Sequence, residues 1–112
     1  MSRHEDEVRI GHMLDHAQEA VDMCRVAKRG DLDTDRKLNL ALVRLVEIVG
    51  EAANRVSDVG QADLPQIPWA QIVGMRNRIV HGYDSVDFDI LWTVICDDLP
   101  PLITELKRIL GR

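Results

Sequence analysis

The chain has 112 residues, of which 46% are hydrophobic and 29% charged, and its formal net charge is −5. That length suits one domain around a single core, spanning 1–112. The acidic balance excludes a broad basic surface, so no DNA partner is expected, although it leaves room for a small cationic site. Cys24 and Cys96 both fall in helical patterns and are expected as buried thiols of a reducing compartment. The opening "MSRHEDEVRI" lacks an apolar leader core, and no apolar run approaches the roughly 18–20 residues of a membrane span. A soluble, cytoplasmic protein is the expectation.

The first helix is predicted over roughly 3–29, where Val8, Met13, Ala17, Ala20, Val21 and Cys24 recur at helical spacing. Lys28 and Arg29 suit its negative end, and Gly30 is the expected left-handed cap. A second helix is predicted over roughly 34–57, capped by Asp33 or Thr34. Its centre, from Leu38 to Val49, is apolar on nearly every side, so it should lie centrally. Its one polar stripe is Arg44, Glu47, Glu51 and Arg55, spaced three, four and four. That stripe is either a solvated face with internal ion pairs or the lining of a cleft, and Gly50 and Ala53 would permit close helix approach.

Residues 58–67 read as a loop, marked by Gly60 and Pro65. Pro68 then opens a third helix, roughly 68–81, which Gly82 ends. The fourth helix is predicted over roughly 87–110, capped by Asp87 and kinked at Pro100. Four main helices joined by short connections give an all-α antiparallel bundle with a kinked last helix. The apolar surface exceeds what one such bundle needs, which predicts a homodimer about a two-fold axis.

The third helix carries the chemistry, in "MRNRIVHGY". On an ideal helix Asn77 and His81 share a face, and Arg78 neighbours His81. Arg76 and His81 are about 140° apart, so a tightened last turn or a second copy of the motif must bring them together. The helix end would favour a protonated His81, a good general acid or base near neutrality. Arg76 offers a planar fork that matches phosphate oxygens. Together these groups suit cleavage of RNA by its own 2′-hydroxyl. The nucleophile belongs to the substrate, so no metal or other cofactor is required.

Arg76-Asn77-Arg78-Ile79-Val80-His81 resembles the Arg-x4–6-His motif of HEPN domains, and its extension to Tyr83 resembles the Arg-x4-His-x-Tyr motif of HepT-like toxins. "LVEIVGEAANRVS", "IPWAQIVGMRNRIVHGYDSVD" and "WTVICDDLPPL" are similar to further blocks of that family. The resemblance implies a HEPN-type helical bundle and a homodimer whose two motifs meet in a cleft. It implies a metal-independent endoribonuclease, acting on RNA such as tRNA, that serves as the toxin of a type VII toxin–antitoxin pair. Arg76 and His81 would be catalytic and Asn77 a supporting polar residue. Tyr83 would accept AMP from an MntA-like minimal nucleotidyltransferase, the antitoxin. Arg78 is not a defining position of the motif, and a supporting role for it is inferred from its place beside His81.

Two other readings compete. His12 and His16, with Asp15 beside them, have the spacing of a metal pair but lack a third ligand in sequence, so an exposed polar face is expected. A non-catalytic HEPN module that binds a nucleotide or a nucleotidyltransferase is the alternative of another class. The intact Arg76 and His81 argue against it.

Overall fold

The computed structural model describes residues 2–112, and its helices form as their caps dictate. Helix α1 (Arg3–Arg25) starts where the Ser2 hydroxyl accepts the Glu5 amide at 3.1 Å. It stops short of Gly30, because Asp31 captures the Lys28 amide at 2.8 Å and opens a separate turn, α2 (Asp31–Thr34). Gly30 is therefore right-handed, with φ −62°, and is not the left-handed cap expected of it. The cap of α3 (Arg36–Asn54) is Asp35, whose carboxylate accepts the Leu38 amide at 3.0 Å, in place of Asp33 or Thr34.

The predicted loop at 58–67 contains a short helix, α4 (Asp58–Asp63), whose cap is Ser57. The predicted third helix is two pieces, α5 (Trp69–Val73) and α6 (Met75–Ile79), joined at Gly74. It yields to a two-stranded hairpin of β1 (Val80–His81) and β2 (Ser85–Val86). The last helical rod comprises α7 (Phe88–Thr93), one π turn over Val94–Asp98 and α8 (Leu99–Leu110). Asp87 caps α7 as expected, accepting the Ile90 amide at 3.0 Å. The interruption expected at Pro100 is displaced upstream. The Leu99 amide bonds the Val94 carbonyl five residues back, and Pro100 and Pro101 then occupy the first turn of α8, where no donor is needed.

The architecture is an all-α, HEPN-type bundle with four bodies: α1, α3, the α5–α6 pair, and the α7–α8 rod. Its core joins Met13, Ala17 and Ala20 of α1 to Leu42, Val46 and Val49 of α3 and to Leu99 and Leu106 of α8. Ile72, Met75 and Ile79 bring α5 and α6 onto that core. Gly50 sets the contact, since a Cβ there would lie 3.1 Å from the Ile72 carbonyl oxygen. The helix α3 is less uniformly buried than its composition suggests, for Leu40 is 52% exposed. Val8 is also exposed, and Cys96 faces solvent while Cys24 is buried. Burial pushes the Cys24 thiol up to about 11, with the neighbouring Cys96 adding to the shift. No helix of the described residues is long and apolar enough to cross a membrane.

One buried carboxylate ties the chain's start to its middle. Asp6 accepts the Ser57 amide at 2.9 Å and the Ser57 hydroxyl at 2.6 Å. These bonds, the hydroxyl first, hold its carboxyl below the usual carboxylate value of 3.8. The resulting stabilisation is present above that value and is lost as pH falls through the lower folded-state value. Asp6→Ala is expected to cost about 1–3 kcal/mol, because it strands the Ser57 donors. Thermal or urea unfolding at neutral pH would measure that cost. The variant's deficit should shrink as the pH is lowered beneath 3.8. A deficit independent of pH would show that the carboxylate charge contributes nothing.

Candidate active site

Helix α6 and the hairpin after it hold every residue of the motif. Arg76, Asn77 and Arg78 lie on α6, and all three are exposed. The helix ends at Ile79 because Val80 turns extended, with φ −105° and ψ 121°. His81 is therefore in β1 and not in a last helical turn. Neither the shared helical face with Asn77 nor the helix-end preference for a charged imidazole applies to it. In β1, His81 pairs with Ser85 across a three-residue loop, Gly82 to Asp84. Gly82, with φ +76°, is a turn residue of this hairpin and not the stop of a helix. Tyr83 sits at the tip, as exposed as a residue can be (102%).

Arg76 and Asn77 line an open hollow of about 400 Å³ against α3, with Glu47, Gly50, Glu51 and Asn54 opposite and Val73 at its edge. Here the polar stripe of α3 finds its use. The Glu47 carboxylate accepts from Arg44 Nη1 at 2.6 Å through one oxygen and from Arg76 Nε at 3.4 Å through the other. Arg44 Nη1 also reaches Glu51 at 3.5 Å. The hydrogen bond to Glu47 leads the effects that hold the Arg44 guanidinium above its usual value, so Arg44 stays charged. Arg76 is held only by its Nε edge, and no described residue pairs with its terminal nitrogens. Exposed pairs of this kind contribute about 0–1 kcal/mol, so an incoming anion displaces them at low cost. Glu47 went unassigned in sequence, although its place one turn from Gly50 on a polar stripe was the available signal.

The remaining motif residues diverge within one chain. Arg78 turns towards the π turn, 3.5 Å from Asp98. His81 and Tyr83 do not line the hollow that holds Arg76. On α1, His16 Nδ1 lies 2.7 Å from the His12 carbonyl, and Asp15 pairs with Arg112 at 3.3 Å. Among the described residues no group of three or more His, Cys, Asp and Glu is placed to hold a metal ion.

The hairpin depends on Gly82, whose positive φ penalises any side chain although nothing lies within 4 Å of the site for a Cβ. Gly82→Ala is expected to destabilise the hairpin by about 1 kcal/mol, a purely conformational cost. The Asp87 amide, which donates to Ile79 O at 2.8 Å and closes the hairpin, should then exchange its hydrogen several-fold faster. Unchanged exchange would mean that the strands hold without the turn.

Comparison with known proteins places the chain in a family. A protein of Methanocaldococcus jannaschii provisionally described as an RNase is 24% identical over 109 residues, covering 97% of this chain and 100% of that one. A provisionally described RNase of Caldanaerobacter subterraneus subsp. tengcongensis is 30% identical over 103 residues, 92% of each chain. A protein of Thermococcus cleftensis named provisionally as ribonuclease HepT is 32% identical over 79 residues, 70% of this chain and 72% of that one. No solved structure matches significantly. Residues 13–109 match the family described as Ribonuclease HepT-like, and with α6, its motif and most of the bundle inside that span, the chain belongs to the HepT-like ribonuclease family.

Proposed function

We propose that this chain is a metal-independent endoribonuclease that cleaves RNA, with tRNA as the favoured class, in the cleft of a homodimer. The observation that carries the reading is Arg76, a guanidinium held by one edge over an open hollow with its terminal nitrogens unpaired. Arg76 and His81 are the catalytic residues. His81 takes the proton of the substrate's 2′-hydroxyl, and the freed oxygen attacks the adjacent phosphorus. Arg76 stabilises the charge of the phosphorane. The bond to the 5′-oxygen breaks, and that oxygen leaves with a proton from an acid in the cleft. The products are a 2′,3′-cyclic phosphate and a 5′-hydroxyl.

The second copy supplies what one chain separates. Leu40, one turn before Arg44 on the stripe of α3, and Val73, on the edge of the hollow, are exposed apolar groups that a partner would cover. Closing that face would bring the hairpin of one copy towards the hollow of the other. Asn77 supports the substrate beside Arg76, and Arg78 adds positive potential while its pair with Asp98 steadies α6. Glu47 orients the Arg76 fork and yields to phosphate.

Tyr83 is the site at which a cognate minimal nucleotidyltransferase, MntA-like, silences the enzyme as its antitoxin. Its phenolic oxygen attacks the α-phosphorus of ATP, pyrophosphate leaves, and the phenol proton goes to solvent. Exposure at the hairpin tip supports this, since the modifying enzyme needs no rearrangement to reach it. The new phosphodiester would repel RNA from the neighbouring His81.

His81→Ala should cut RNA cleavage by about 10²–10⁴-fold, the usual contribution of a general acid or base. Wild-type cleavage should persist in excess EDTA. Equal cleavage by wild type and His81→Ala would overturn the nuclease reading and favour a non-catalytic binding module. Glu47→Gln should slow turnover by less than Arg76→Ala does, because it loosens the fork without removing it. Intact mass after incubation with the partner and ATP should rise by one AMP in wild type and not in Tyr83→Phe. A gain retained in Tyr83→Phe would move the modification elsewhere.

A further inference from the structure

Most arginines of this acidic chain are committed to partners. Arg3, Arg25, Arg29, Arg44, Arg76, Arg78, Arg108 and Arg112 form ion pairs, and Arg36 bonds Asn39. Among the described residues Arg9 and Arg55 alone of the arginines have no side-chain partner, and both line the same open hollow of about 520 Å³. They come from elements far apart in sequence, Arg9 from α1 and Arg55 from the C-cap of α3. Arg9 Nε is buried without a hydrogen-bond acceptor, so no other group of the chain commits this guanidinium.

Of the acidic groups nearby, one is fully engaged and one stands in the hollow unpaired. Asp6, which feels the Arg9 charge, has both oxygens bonded to Ser57. Asp58 lines the hollow but pairs with neither arginine. The carbonyl end of α3, which would repel an anion, is partly satisfied by Gln61 Nε2, which donates to the Ala53 and Val56 carbonyls at 3.2 Å each.

Asn54 joins this hollow to the other one, because it lines both. The two are neighbours at the C-terminal end of α3. At 1.5 Å per residue, Arg55 stands roughly 12 Å further along the helix than Glu47, which holds Arg76. We propose that Arg9 and Arg55 form an outer phosphate subsite that grips the RNA backbone a few nucleotides from the bond cleaved beside Arg76. The inference rests on the ribonuclease reading and deepens it. Two guanidinium forks lining one hollow bind phosphodiester oxygens without reading base identity.

The test compares wild type with Arg9→Gln/Arg55→Gln, using a short single-stranded oligoribonucleotide and a dinucleotide with one phosphodiester. The double variant should bind the oligonucleotide roughly tenfold more weakly, and its slope of log affinity against log salt should flatten by about 1.4 for two lost contacts. Its loss in kcat/KM on the oligonucleotide should exceed that on the dinucleotide by a similar factor, mainly through KM. Arg9→Lys/Arg55→Lys should recover part of the affinity and the salt slope. If the double variant does not fold, Arg55→Gln alone should show about half of the slope change. The Arg9 Nε–H resonance of wild type should also shift as oligonucleotide is added. A wild type that cleaves RNA, with a double variant identical in affinity and slope, overturns the subsite and leaves the nuclease reading standing. A wild type that binds without cleaving overturns the nuclease reading, and the Arg9 resonance then decides the subsite: a shift supports it and a static signal overturns it.

Discussion

The close approach of α3 to α5 at Gly50 is the constraint on which the site depends. With a Cβ 3.1 Å from the Ile72 carbonyl oxygen, the two helices would have to give by a few tenths of an ångström. That shift would be passed to α6, which follows α5 directly, and so to the distance between Arg76 and Glu47. The same contact seats Ile72, Met75 and Ile79 in the core. A missing side chain thus sets the distance at which a basic and an acidic one meet. The packing of small against apolar residues comes first, and the electrostatics of the hollow follow from it.

Most of the fold was legible because its signals are local. Helical periodicity located the four bodies, and Asp87 and the two prolines marked one start and one interruption. The errors also have local causes. Several short polar side chains crowd each of the junctions 31–35 and 57–63, and each captured a backbone amide that periodicity alone would have left in a longer helix or a loop. Competition of this kind is decided by geometry that a pattern does not record.

The motif shows the same division. Residue types and spacing pointed to Arg76, Asn77, His81 and Tyr83, but a helical wheel presumed a helix reaching His81. Val80 is β-branched and Gly82 has a positive φ, and together they favour a hairpin. Arg76 and His81 therefore differ in the element that carries them and not only in angle. Glu47 lies 29 residues before Arg76. No local rule links the two, and only the packing of α3 against α5 and α6 reveals the pair.

The net charge of −5 and the arginine-lined hollow of Arg9 and Arg55 are compatible because the arginines are distributed unevenly between paired and unpaired roles. Paired guanidinium groups contribute little to the field at a distance, whereas the partnerless Arg9 and Arg55 contribute most of theirs.

The hairpin tip has a consequence for detection. Tyr83 touches solvent on all sides and belongs to no part of the core. Within the single chain, a group attached to it replaces no contact of the core. A melting curve of the single chain would then look the same before and after the change, so assays of its heat tolerance would be blind to it. Only methods that register charge, mass or the surface itself would distinguish the two forms.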